Sequence, residues 1–166
     1  GMNDQKPQGL LREQELAEIR ELFGGIADPM LLVLKVHLYT EHIMERLILA
    51  ALPRGDRVLE GGNLSYAQKI ALVSALNCVE DQHITALRNL NKIRNACSHE
   101  RDKSITAADI DLLGRAYGSG YTNLKKTHEG NFRNWLSATL GWLCGGLLHY
   151  ANKLEQPADK KPGAGT

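Results

Sequence analysis

The chain has 166 residues, 43% hydrophobic and 23% charged, enough to bury a core in one domain without disulfides or metals. Its 20 Lys and Arg stand against 19 Asp and Glu, so the molecule is not a polycation that holds nucleic acid through overall charge, and any such site is a local patch. Three cysteines, Cys78, Cys97 and Cys144, are odd in number and widely spaced with no CxxC pair, which excludes a disulfide framework and a cysteine zinc site and points to a reducing, cytoplasmic setting.

Residues 1–9, "GMNDQKPQG", have no basic-then-apolar signal pattern and read as a disordered N-terminus. "LLREQELAEIRELF" (10–23) sets Leu16, Ile19 and Phe23 at helical spacing and stops at Gly24-Gly25. Asp28 then reads as an N-cap with Pro29 at the first helical position, opening a helix that runs to Pro53. Its first half is apolar nearly all round, as suits a central bundle helix or one facing a partner subunit. "PRGDRVLEGGN" (53–63) reads as a polar loop.

Ser65 and Gln68 form a capping-box pattern for the next helix, and a further one begins near Asp81. Thr106 with Asp109 marks a shorter helix, and a Gly-rich loop over 118–130 leads into a long last helix, 131–155. That helix holds the longest uncharged run, 135–152. Its Ser137, Thr139, three glycines, His149, Tyr150 and Asn152 make it a buried helix rather than a membrane span, which needs ~20 mostly apolar residues. Gly141, Gly145 and Gly146 suggest close helix approach there, within the subunit or across a dimer. The tail "QPADKKPGAGT" (156–166) reads as disordered. No stretch has a convincing strand period. The expectation is an all-α bundle of five or six helices forming a single domain over 10–155.

The polar residues of "LNKIRNACSHERD" (90–102) stand out. From Gln82 to His99 there is no acidic side chain, while Arg88, Lys92 and Arg94 are cationic. On a helical wheel Ala86, Leu87, Leu90, Ile93 and Cys97 form one face, with Arg94 at its border. Asn91, Asn95 and His99 make a separate polar stripe. Arg94 and His99 lie roughly 140° apart on an ideal helix, so they converge only if the helix ends or tightens near Ser98, or if one comes from a second subunit.

"LNKIRNACSHE" resembles the R-x4-6-H signature of the HEPN superfamily (higher eukaryotes and prokaryotes nucleotide-binding domains), whose Arg is typically followed by a polar residue, here Asn95. "LSYAQKIALVSALNC" followed by "ALRNLNKIRNACSH" is similar to HEPN proteins around the mannitol operon repressor, over about residues 28–152. Ser98 stands where those relatives carry Ala. The resemblance implies a helical bundle that dimerises, with two motif helices lining a shared cleft. Some members are metal-independent endoribonucleases of the toxin or defence type. Others are transcriptional regulators or binding modules.

The residue types suit RNA cleavage without a cofactor. An imidazole with a pKa near 6.5 accepts the 2′-hydroxyl proton at neutral pH. A forked guanidinium holds phosphate oxygens as charge builds. The resulting expectation gives His99 as general base, Arg94 as phosphate clamp and Asn95 in support. Arg88, Asn91, Lys92 and Ser98 would be further phosphate contacts, and Glu41, His42 and Glu45 would line the cleft from the second helix. RNA or a nucleotide is the expected ligand, a homodimer the expected assembly, and an antitoxin or regulatory protein a further possible partner; no membrane is implied.

In the alternative, the same fold is a non-catalytic regulatory or nucleotide- or protein-binding module. There Arg94 ties helices together through Glu41 or Glu45, and His99 caps the helix end. A di-iron site is disfavoured, because Glu80 and His83 supply one E-x-x-H and the second is missing.

Overall fold

The computed structural model describes residues 12–156. The stretches read as disordered, 1–9 and 156–166, lie outside the described residues except for Gln156, as do residues 10 and 11 of the first expected helix. The described chain is all-α, with eight helices and no strand: α1 (Glu13–Gly24), α2 (Pro29–Ala51), α3 (Gly55–Gly62), α4 (Tyr66–Ala75), α5 (Asp81–His99), α6 (Ala107–Gly114), α7 (Ser119–Thr127) and α8 (Phe132–Glu155). A single 3-10 turn, Arg115–Tyr117, joins α6 to α7.

Three starts follow local chemistry. Asp28 Oδ1 accepts from Met30 N at 3.0 Å. Ser65 Oγ accepts from Gln68 N while Gln68 Oε1 accepts from Ser65 N. Thr106 and Asp109 exchange the same pair of bonds. Each satisfies amide donors that a helix start otherwise leaves orphaned.

Eight helices replace the expected five or six because two stretches read as loops are helical. The segment 53–63 holds α3, whose Leu59 packs on the core, and which ends at Asn63 in the left-handed region, φ 45°. The segment 118–130 holds α7. Gly118 (φ 58°) and Gly130 (φ 84°) flank it as punctuation rather than signs of an unstructured loop. Both helices have eight or nine residues, too few for a hydrophobic period to show.

The core is one cluster built around α2 and α8. Leu32, Val33, Val36, Met44, Leu47 and Ile48 of α2 are fully buried, as are Leu136, Leu147, Leu148 and Cys144 of α8. All three cysteines are free thiols, and burial pushes Cys144 up to about 12. Among the described residues no helix is long and apolar enough to cross a membrane.

Cross-links set the helix directions. Tyr66 pairs with Thr40 and Lys69 with Glu45, so α4 runs with α2. Arg133 at the start of α8 reaches Phe23 O just before α2, and Arg46 reaches Asn152 and Glu155, so α8 runs with α2 as well. On α5, Glu80 bonds Tyr150 and His83 lies against Gly146, so α5 runs the opposite way. His99 therefore lies toward the Leu31 end of α2.

Glu15 pins α1 onto this frame. Its buried carboxylate takes Arg46 at 3.0 Å and the Asn152 amide at 2.7 Å. Burying a carboxylate is tolerable only with such partners.

The glycines of α8 divide. A Cβ on Gly146 would overlap the His83 imidazole, whereas Gly141 and Gly145 have nothing within 4 Å and line a groove of about 830 Å³. Of these three, then, only Gly146 serves close approach within the chain. Gly146→Ala is expected to destabilise by ~1–3 kcal/mol through overpacking against His83. Gly141→Ala is expected to stabilise by up to ~1 kcal/mol, since it adds helix propensity in open space. Urea unfolding of both variants beside wild type checks the opposite signs.

Candidate functional site

On α2, His37, Glu41 and Glu45 repeat every four residues and face the seam with α4 and α5. Each is satisfied from across that seam. The Thr40 hydroxyl donates to His37 O at 2.9 Å, so the Tyr66 hydroxyl, 2.7 Å away, donates to Thr40 Oγ1. Burial holds the Tyr66 phenol far above its usual range, so it stays a donor. The Tyr66 ring stacks on the His37 imidazole with centroids 3.7 Å apart. His37 Nε2 lies 3.0 Å from Asn91 Oδ1 on α5. That oxygen only accepts, so Nε2 carries the proton and Nδ1 the lone pair.

His37 is held below its ordinary 6.5. Burial is the main cause and the charge of Arg94 adds to it, while the Asn91 hydrogen bond and Glu41 oppose. The ring is thus neutral at neutral pH. Its Nδ1 makes no hydrogen bond among the described residues. The one fully buried side-chain N or O atom there without a partner is Arg133 Nε, so Nδ1 is not sealed from solvent.

Arg94 is half-buried on α5, and its guanidinium forms no ion pair or hydrogen bond among the described residues. Glu41 and Glu45, the carboxylates weighed as its partners, go to Lys69 instead, at 3.4 and 2.8 Å. Burial pulls Lys69 down, but the hydrogen bond to Glu45 and the charge of Glu41 outweigh it, leaving the ammonium above its usual range. So Lys69 takes both carboxylates, and Arg94 makes no direct ion pair among the described residues.

The other expected residues are spread along α5. Asn91 is half-buried and bound to His37. Arg88, Lys92, Asn95, Ser98 and His99 are exposed. The Ser98 hydroxyl donates to Arg94 O at 3.2 Å, a bond within the helix. His42 is exposed, with Nδ1 3.7 Å from Glu45 Oε2. The helix stays α-helical through His99, and only Glu100 turns extended, so nothing tightens it near Ser98. Arg94 and His99 therefore keep roughly the 140° separation of an ideal helix and are not brought together within one chain.

Reading the residues in sequence missed the partners of this seam. In the sequence His37 stands only four positions before Glu41 on a helix, and Tyr66 and Lys69 carry no signal beyond following a helix cap. The E-x-x-H pair serves other ends. Glu80 accepts from Tyr150 at 2.6 Å and from Gln82 at 2.7 Å, while His83 Nδ1 meets the Tyr117 hydroxyl at 2.9 Å. Among the described residues no group of three His, Cys, Asp or Glu side chains is placed to hold a metal ion.

No family model matches this sequence, and no curated protein or solved structure matches it significantly either.

Buried His83 and half-buried His37 give the fold a pH dependence. His37 and His83 are both held below 6.5, in each case chiefly by burial. Between their folded values and 6.5 the unfolded chain binds more protons, so stability rises with pH there. Their contribution is complete above about pH 6.5 and is lost as pH falls toward the folded values. Urea midpoints should fall between about pH 7.5 and pH 5.5 in wild type, and fall less in a His37→Gln/His83→Gln double variant.

Proposed function

We propose that the chain is a HEPN-like endoribonuclease domain acting as a homodimer, with Arg94 as its phosphate clamp. The observation that supports this reading is the free charge of Arg94. Arg94, partly buried on α5, makes no ion pair among the described residues while Glu41 and Glu45 pair with Lys69, so its guanidinium is open to an anion from outside the chain. Arg88 and Lys92 are exposed on the same helix and make no ion pair among the described residues; they lie roughly 120° and 160° round from Arg94, a separate positive strip that a nucleic-acid backbone can also meet. Asn95 is a neutral donor at its edge.

A second copy supplies what one chain lacks. His99 diverges from Arg94 within a subunit, so the motif works only when His99 of one copy approaches Arg94 of the other. The exposed face of α2 suits such an approach, because Leu31, Leu34 and Leu38 are 42%, 38% and 56% exposed and lie toward the same end as His99. Apolar side chains in a row on one helix face are the material of a helix–helix interface.

In this reading Arg94 binds the nonbridging phosphate oxygens and stabilises the charge that builds as the 2′-oxygen attacks. His99 exchanges protons with the reacting oxygens. DNA lacks the attacking hydroxyl and is not cut by this route. The alternative, a regulatory module that binds the same anion without cutting it, is favoured by the separation of Arg94 and His99 within a single chain.

Incubating a mixed-sequence RNA with wild type, Arg94→Ala and His99→Ala in EDTA decides between these readings. Cleavage by wild type that falls ~10²–10³-fold in Arg94→Ala and ~10²–10⁴-fold in His99→Ala, with both variants folded by circular dichroism, is the expected result. RNA bound but uncut by wild type, with binding lost in Arg94→Ala, would establish the regulatory reading.

A further inference from the structure

Building on the proposed nuclease reading, we infer that His37, outside the R-x4-6-H motif, is the group that takes the proton from the attacking 2′-hydroxyl, and that Asn91 is the residue that orients it.

The chemistry asks for two proton-transfer groups. In transesterification of RNA the attacking 2′-oxygen and the departing 5′-oxygen stand on opposite sides of phosphorus, in line. One imidazole does not reach both. A base is needed on one side and an acid on the other. The motif gives each copy a single histidine, His99, so the second group is either the other copy's motif histidine or one from elsewhere in the fold, and His37 is a histidine whose ring this fold orients.

His37 has the features of the base. Its tautomer is set by the 3.0 Å bond from Nε2 to Asn91 Oδ1, which leaves the lone pair on Nδ1. Its ring plane is set by stacking on Tyr66. Tyr66 is in turn held by Thr40, whose own hydroxyl closes on His37 O, so the support forms a loop back to the residue it positions. Nδ1 is not sealed from solvent and makes no hydrogen bond among the described residues.

The charged groups acting on it are few. Arg94 on α5 lies near enough for its charge to act on the ring, and Glu41 on α2, paired with Lys69 of α4, opposes it. A phosphate seated on Arg94 therefore sits beside a neutral imidazole held in one tautomer. Asn91 and Arg94, three positions apart on α5, fall on adjacent ridges of one face. One helix thus orients the base and binds the phosphate.

The step balances without a further reactant. The 2′-hydroxyl proton passes to His37 Nδ1 as the O2′–P bond forms. The P–O5′ bond breaks, and the 5′-oxygen takes a proton from the imidazolium of His99. The products are a 2′,3′-cyclic phosphodiester and a 5′-hydroxyl end. Exchange with water then resets both rings.

Two measurements test this, one of them independent of activity. Nitrogen-15 NMR of wild type labelled in histidine reads the tautomer of His37 directly. The Nε2–H form, titrating below 6.5 and moving up in Arg94→Gln, is expected; an Nδ1–H form, or a titration unmoved by Arg94→Gln, overturns the assignment. The second is the pH profile of kcat/KM on RNA for wild type, His37→Gln and Asn91→Ala. His37→Gln should lose ~10²-fold or more and with it the acid limb of the profile. Asn91→Ala removes the bond that raises the His37 pKa, so it should move that limb to lower pH. If wild type cuts RNA, Arg94→Ala does not, and His37→Gln keeps full activity and an unchanged acid limb, the role of His37 falls while the nuclease reading stands. If wild type does not cut, both fall together.

Discussion

The structure depends on α2 being covered on both sides. Leu32, Val33, Val36, Met44, Leu47 and Ile48 leave no apolar surface to water on the inner arc of that helix. A helix buried over so wide an arc needs one neighbour on each flank, and α8 and the α4–α5 pair take those places. With the flanks occupied, the polar side chains of α2 either reach solvent or find partners across a seam, because a buried polar group without a hydrogen bond costs ~1–3 kcal/mol.

Two polar seams result, and they differ in how their cations are paired. On the α8 side Arg46 is enclosed by Glu15, Asn152 and Glu155. On the α4–α5 side Lys69 takes up Glu41 and Glu45, His37 is neutral, and the Asn91 side chain is uncharged. Arg94 makes no direct ion pair among the described residues, which sets it apart from Lys69 and Arg46. That difference in pairing marks the α4–α5 side, rather than the larger groove along α8, as the candidate face. The groove's most buried polar ring, His83, is engaged by Tyr117.

Much of the architecture was legible residue by residue. Asp28 before Pro29, Ser65 with Gln68 and Thr106 with Asp109 each name a helix start through bonds made within three residues. The wheel of α5 separates Leu87, Leu90 and Ile93, which are buried, from Asn95 and His99, which are exposed. The helices α3 and α7 escaped that reading. Glycine inside or beside a short helix looks like loop chemistry until packing supplies what propensity does not. Of the candidate site, Arg94 and Asn91 were named from their place on the motif helix, but their surroundings were misjudged. Glu41 and Glu45 read as carboxylates for an arginine, and the structure gives them to a lysine 24 residues beyond Glu45.

By itself, then, the sequence determined the all-α class, the helix starts, the faces of the long helices and the local excess of positive charge on α5. All of these arise from bonds and periodicities spanning a few residues. Tertiary structure alone decided which charges are cancelled and which ring is oriented. His37 meets Asn91 across 54 residues of chain, and the pairing depends on α5 running antiparallel to α2 in one register. Neither that direction nor that register is encoded in any short stretch; both follow from how the apolar faces of several helices close on one another.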